Sequence, residues 1–177
     1  MRLDAPRLYL RPLSEADVTP AYVAWLNDPE VNRYLETRHS PQTLQTVADF
    51  VAAVNARKGE HLFGIILREN DRHIGNIKLG PVHPVHRLGD VSLLIGERTV
   101  WSRGYAAEAI ARLVRHAFDD LKLAKLSAGL YAANVGSERA FLKAGFVREG
   151  LRRAHYDLDG WRSDIVELGL VAPRADS

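Results

Sequence analysis

Between His61 and Ile95 the apolar residues stop recurring every third or fourth position and gather into three short runs, His61 to Leu67, His73 to Leu79 and Val91 to Ile95. Asn70-Asp71 and Gly80-Pro81 punctuate them, so the stretch reads as an antiparallel meander. Helical spacing prevails on both sides. Upstream, Tyr22, Trp25 and Leu26 share a face until Asn27-Asp28-Pro29 breaks it, and Pro29 opens a second short helix with Val31, Tyr34 and Leu35. Ser40-Pro41 opens another, carrying Leu44, Val47, Phe50, Val51 and Val54 to a stop at Lys58-Gly59. Downstream, Ala106, Ile110, Leu113, Val114, Ala117 and Phe118 form the apolar face of a helix from Tyr105 to Leu121, with Glu108, Arg112, Arg115 and Asp119 opposite. A meander set between such helices excludes an all-helical bundle and points to an α+β sandwich.

The ends of the chain fit the same plan. Arg7 to Leu13 alternates like a half-buried strand, and Ser14-Glu-Ala-Asp17 resembles a capped helix start. Leu126 to Tyr131 reads as a strand, Ser137 to Lys143 as a helix stopped at Gly145, and Phe146 to Leu170 as a hairpin turned at Asp159-Gly160. With 177 residues, one domain spanning 1–177 is expected, its tail 172–177 disordered.

The composition narrows the function. Twenty-four Lys and Arg against 22 Asp and Glu leave a net charge of +2, spread along the chain without a polybasic stripe, so no nucleic acid partner is expected. The absence of cysteine removes disulfides, thiolate metal sites and a thiol nucleophile together. No stretch approaches the roughly 18 apolar residues of a membrane span, and the N-terminus lacks a signal core. A soluble, cytoplasmic protein without membrane association is the expectation.

The segment Ile95-Gly-Glu-Arg-Thr-Val-Trp-Ser-Arg-Gly-Tyr-Ala-Ala-Glu108 takes a strand through an Arg-Gly-x-Ala turn into the longest amphipathic helix. A helix start offers unpaired N–H groups and the positive end of the dipole, and Gly104 lets a ligand approach the backbone, which together suit a pyrophosphate. Gly104 equally serves as a plain turn glycine. The chain has neither a G-x-x-x-x-G-K-[ST] loop nor a G-x-G-x-x-G after a first strand, which excludes the familiar nucleotide motifs.

Trp101-Ser-Arg-Gly-Tyr-Ala-Ala-Glu-Ala resembles the acetyl-CoA pyrophosphate loop of the GNAT acetyltransferases. Asn134-Val-Gly-Ser137 with Phe141-Leu-Lys-Ala-Gly-Phe146 resembles the later GNAT segment that meets the pantetheine arm. The similarity runs from Arg7-Leu-Tyr-Leu-Arg-Pro-Leu13 to Asp159-Gly-Trp-Arg-Ser-Asp164. It leans toward the branch of ribosomal-protein N-terminal, spermidine and amino-sugar acetyltransferases. The resemblance implies a GNAT-like fold, a mainly antiparallel mixed sheet with helices on both faces, and acetyl-CoA as cosubstrate with no metal. It implies cofactor contacts from Leu93, Leu94 and Ile95, from Trp101, Ser102, Arg103, Gly104, Tyr105 and Ala106, and from Asn134, Ser137 and Phe141. Phe141 departs from the pattern, standing where many members carry a tyrosine that protonates the leaving thiolate.

The acceptor is then a primary amine, on an amino sugar, a protein N-terminus or a polyamine, acetylated directly without a covalent enzyme intermediate. An amine of pKa near 10 is about 0.1% neutral at pH 7, so a base or desolvation must help. Glu97 is the first candidate base, beside the cofactor loop; Asp90 and His83 follow. Trp25, Asn27, Glu36, His86 and Tyr156 are the candidate acceptor contacts. Each has a plainer alternative: a solvated glutamate, a loop histidine, a cross-strand aromatic, and for Asn134 a helix cap. His83 and His86 lack a third ligand for zinc. The resemblance allows a homodimer. A noncatalytic CoA-binding regulatory module is the competing reading, kept open by Phe141.

Overall fold

The computed structural model describes residues 1–173. Eight strands form one sheet: β1 (Leu3–Asp4), β2 (Leu8–Pro12), β3 (His61–Leu67), β4 (His73–His83), β5 (Leu88–Ile95), β6 (Lys125–Tyr131), β7 (Val147–Leu158) and β8 (Trp161–Val171). Their spatial order is β1-β2-β3-β4-β5-β6-β8-β7. Every pairing is antiparallel except β5 with β6. The helices are α1 (Pro20–Asn27), α2 (Pro29–Asn32), α3 (Leu44–Ala56), α4 (Tyr105–Arg115) and α5 (Val135–Lys143).

The sheet has an apolar layer on each face. Ile110 and Leu113 of α4 and Phe141 of α5 pack with Leu8, Leu10, Ile65 and Ile77 in the larger layer. Tyr22, Trp25 and Leu26 of α1 join Val47, Val51 and Val54 of α3 over Leu62 in the smaller one. The helical and two-residue periods of the sequence therefore mark the surfaces that meet.

Several boundaries differ from the expectation for local reasons. The third helix starts at Leu44 rather than Ser40, because the Thr43 hydroxyl accepts the Thr46 N–H at 3.1 Å and fixes the cap there. Leu44 and Phe50, expected on its buried face, are exposed, leaving the stripe of Val47, Val51 and Val54 inward. The helix that begins at Tyr105 changes to a π turn at His116–Asp120, where the Leu121 N–H reaches back five residues to the His116 carbonyl. Strand β1, two residues long, is too short to show a period. Of the tail 172–177, residues 174–177 lie outside the described residues, and the Ala172 N–H is bonded to the Ala124 carbonyl at 2.9 Å.

Candidate active site

Strands β5 and β6 pair over three positions only, Leu88 with Lys125, Gly89 with Leu126 and Asp90 with Ser127. Beyond Asp90, β5 continues along β4 to Ile95, while β6 continues along β8 to Tyr131. The two strands part, and the opening is a cavity of about 550 Å³. Leu93, Leu94 and Ile95 wall it on the β5 side, and Asn134 and Ser137 on the β6–α5 side. Trp101, Ser102, Gly104, Tyr105 and Ala106 close one end.

The loop at that end is built to expose amides. Ser102 and Gly104 both have positive φ, at 62° and 83°, and alternating the chain through the left-handed region turns successive N–H groups to one side. Only glycine takes φ near 83° without strain, so Gly104 is required by the turn. The first turn of α4 adds N–H groups with no intrahelical acceptor. Trp101 locks the loop to the strand, its indole N–H donating to the Ile95 carbonyl at 2.8 Å. The start of α5 faces the same cavity, with Asn134 Oδ1 accepting the Ser137 N–H at 3.3 Å. Arg139 and Lys143 follow on the next turns of that face. Two helix starts and two cations make the cavity a favourable place for an anion.

Ten of the twelve predicted cofactor residues line this cavity, and two do not. Arg103 turns its carbonyl to Arg7 Nη1 at 2.9 Å. Phe141 is 2% exposed and packs edge-on against Phe146, ring centroids 5.0 Å apart, so its side chain belongs to the core and not to the cavity wall. Tyr34 and Glu30 also line the cavity. The helix expected to carry Tyr34 and Leu35 ends at Asn32, so Tyr34 lies past it, where its orientation no longer follows the helical period. Arg139 and Lys143 could have been found, being four residues apart and three and seven from Gly136 on one helix face.

The candidate bases separate clearly. Glu97 caps the short turn Arg98–Val100, accepting the Thr99 N–H at 3.1 Å and its hydroxyl at 2.7 Å, and it pairs with Arg72. The Thr99 hydroxyl chiefly, with the Thr99 amide and Arg72, holds its carboxyl below the usual range. It is absent from the cavity wall. The His83 and His86 rings lie tilted against each other, centroids 4.5 Å apart, at the β4–β5 turn. His83 pairs with Leu88, six strand positions from Leu94, which is about 20 Å at 3.3 Å per residue. Asp90 stands where the strands part, on the exposed face, bonded to the Ser127 hydroxyl.

The acceptor candidates divide likewise. Trp25 is core: it packs edge-on against His73 at 5.1 Å and over Gly96, where a Cβ would come within 2.1 Å of its ring. Asn27 braces a loop, exchanging hydrogen bonds of 2.9 and 2.8 Å with the Gln42 backbone. Glu36 and Tyr156 do gather around Tyr131. The Tyr131 hydroxyl donates to Glu36 Oε1 at 2.5 Å, and the rings of Tyr34 and Tyr156 lie 5.8 and 5.5 Å from its own. That bond is the main reason the Glu36 carboxyl titrates below its ordinary range. Arg38 steadies the group through the Tyr131 hydroxyl at 3.2 Å and the Asp157 carbonyl at 3.0 Å. Ser127, Gly129 and Tyr131 alternate onto one face of β6, the face toward Asp90. A second, shallow hollow of about 790 Å³ adjoins Arg38 and Asp157. Among the described residues there is no cluster of three or more groups able to hold a metal, and no helix long and apolar enough to cross a membrane.

A family model for an acetyltransferase (GNAT) domain matches residues 7–147. The uncharacterized N-acetyltransferase YoaA of Bacillus subtilis (strain 168) is 31% identical over 176 residues, 97% of each chain. Among solved structures, spermidine N-acetyltransferase from Vibrio cholerae in complex with CoA and spermine superposes with a TM-score of 0.82 at 19% identity, covering 93% of this chain and 95% of that one. RimL, the ribosomal L7/L12 alpha-N-protein acetyltransferase in complex with coenzyme A, gives 0.84 at 14% identity, covering 97% and 98%.

Proposed function

The chain belongs to the GNAT acetyltransferase family and is an N-acetyltransferase; from that premise we propose that it moves acetyl from acetyl-CoA directly to a primary amine in the opening between β5 and β6. The observation that carries the reading is the parting of these strands beyond Asp90 and Ser127, with the start of α4 at its mouth. The residues fit the cofactor: the loop from Trp101 to Ala106 offers amides to the pyrophosphate, and Arg139 and Lys143 add charge. The β5 backbone beyond Asp90 has no pairing with β6, and, the Ile95 carbonyl being taken by the Trp101 indole, its remaining groups from Leu93 to Ile95 are offered to the pantetheine arm and the acetyl carbonyl. Acetyl-CoA bound there supplies the activated thioester carbonyl.

The chain's own residues divide the remaining work. Glu36, with Tyr131 and Tyr156 around it, draws the cationic acceptor to the exposed side of the sheet. Asp90 takes the amine proton through water, standing three residues, or about 10 Å of strand, before Leu93. Tyr34, on the cavity wall with its hydroxyl donating to the Ala133 carbonyl at 3.1 Å, gives a proton to the departing thiolate. The burial of Phe141 removes the reason for reading its identity as lost chemistry. The acceptor classes are an amino sugar, a protein N-terminus and a polyamine.

Thiol release from acetyl-CoA against a panel of nucleotide-linked amino sugars, spermidine and N-terminal peptides tests the reading. The chain itself contains no cysteine and adds no thiol background. Release with one class establishes the enzyme and its acceptor. If the purified protein neither releases thiol with any class nor is stabilised against heat by CoA, the reading falls.

A further inference from the structure

Arg7 lies just before β2 and 96 positions from the loop it touches. Its Nη1 donates to the Arg103 carbonyl at 2.9 Å. Its Nε–H and its own backbone N–H donate to the two oxygens of Glu108, in the first turn of α4, at 2.7 Å each. The guanidinium also lies over the Tyr105 ring, 4.5 Å from its centroid. One side chain therefore grips the residues before, at and after the start of α4.

The grip has a geometric effect inside the cavity. In a planar trans peptide the carbonyl of one residue and the N–H of the next point in opposite directions. Holding the Arg103 carbonyl toward Arg7 turns the Gly104 N–H away from it, and Gly104 lines the cavity. The grip also has an electrostatic effect, because Glu108 places a negative charge one turn from the anion site and Arg7 offsets it. The anchor is firm: Leu8 and Leu10, which follow Arg7, are fully buried.

We infer that Arg7 is a positioning residue for the pyrophosphate loop, fixing the Gly104 amide for the cofactor from outside the cavity. The inference rests on the cofactor reading given above. An exposed ion pair by itself contributes little to stability, and the Arg7 side chain is 49% exposed, so the larger effect falls on ligand affinity.

The test is calorimetric titration of CoA and of dephospho-CoA, which keeps the pyrophosphate and lacks the 3′-phosphate, into wild type, Arg7→Met and Arg7→Lys. Arg7→Met keeps the stem over Tyr105 and removes every side-chain donor, so folding is preserved. The expected result is a loss of roughly tenfold in affinity for both ligands in Arg7→Met, partly restored in Arg7→Lys. The KM for acetyl-CoA rises by the same factor while kcat stays within about threefold. Unchanged CoA affinity in Arg7→Met overturns the inference, as does a loss confined to CoA, which would make Arg7 a 3′-phosphate ligand instead. If wild type binds neither ligand, the cofactor reading itself falls and takes this inference with it.

Discussion

Ser127 donates its hydroxyl proton to Asp90 across the last paired position of β5 and β6, so the carboxylate is pinned at the point where the strands separate. Asp90→Asn is expected to lower kcat by about a hundredfold, the usual contribution of general-base catalysis, with little change in the KM for acetyl-CoA. Ser127→Ala, which frees the carboxylate without removing it, costs far less. Steady-state thiol release measures both, and an Asp90→Asn enzyme at wild-type rate removes Asp90 from the mechanism.

Glu97→Gln is expected to behave in the opposite way. Its carboxylate caps a turn and pairs with Arg72, so the change lowers the melting temperature by the equivalent of about 1 kcal/mol. The turnover number stays within a few-fold of wild type. A hundredfold loss of kcat with unchanged melting would return Glu97 to the role of base.

Tyr34→Phe keeps the ring against Tyr131 and deletes the hydroxyl. If the phenol gives the proton to the thiolate, kcat falls by about tenfold or more while the KM for acetyl-CoA changes little. A variant that retains the wild-type rate assigns the hydroxyl to the Ala133 carbonyl alone.

Gly96→Ala brings a methyl into the Trp25 ring and is expected to cost about 1–3 kcal/mol in denaturant unfolding. Adding Trp25→Leu to it relieves the clash. The double variant should be less destabilised than the sum of the two single ones, and strict additivity would show that the contact does not matter.

Asp17 carries a pH signature. Its hydrogen bond to Arg11 chiefly, with help from Ser14, depresses its pKa from 3.8 to about 2. The folded carboxyl thus holds its proton less tightly than the unfolded one, so its contribution is complete above 3.8 and is lost as pH falls toward 2. Solvent at Arg11 keeps the effect to about 1 kcal/mol. Asp17→Asn should flatten the stability profile in that window and leave neutral-pH activity unchanged.

Apart from β1, the strands, the long helix at Tyr105 and the loop before it were legible in the sequence, because a period or a glycine at an obligatory turn marks each of them. Contacts between distant segments were not. Nothing around Glu97 announces that Arg72 waits across the turn after β3, or that the contacting pair His83 and His86 lies at the wrong end of its hairpin. Phe141 illustrates the other limit: its helix position was right, while whether it faces the cavity or Phe146 depends on how α5 rolls on the sheet. Asp90 and Glu36 became distinct from other carboxylates only when β5, β6 and the residues after α2 came together.

The order of the last strands bears on synthesis. β6 shares three positions with β5 but seven with β8, and β8 is inserted between β6 and β7, although it leaves the ribosome after both. A nascent chain that ends before Trp161 has one wall of its opening formed and the other without its main partner. Cofactor capture during translation should therefore begin late, once the segment through Val171 is free to enter the sheet, and earlier stalled chains should present β6 as an unpaired edge to chaperones.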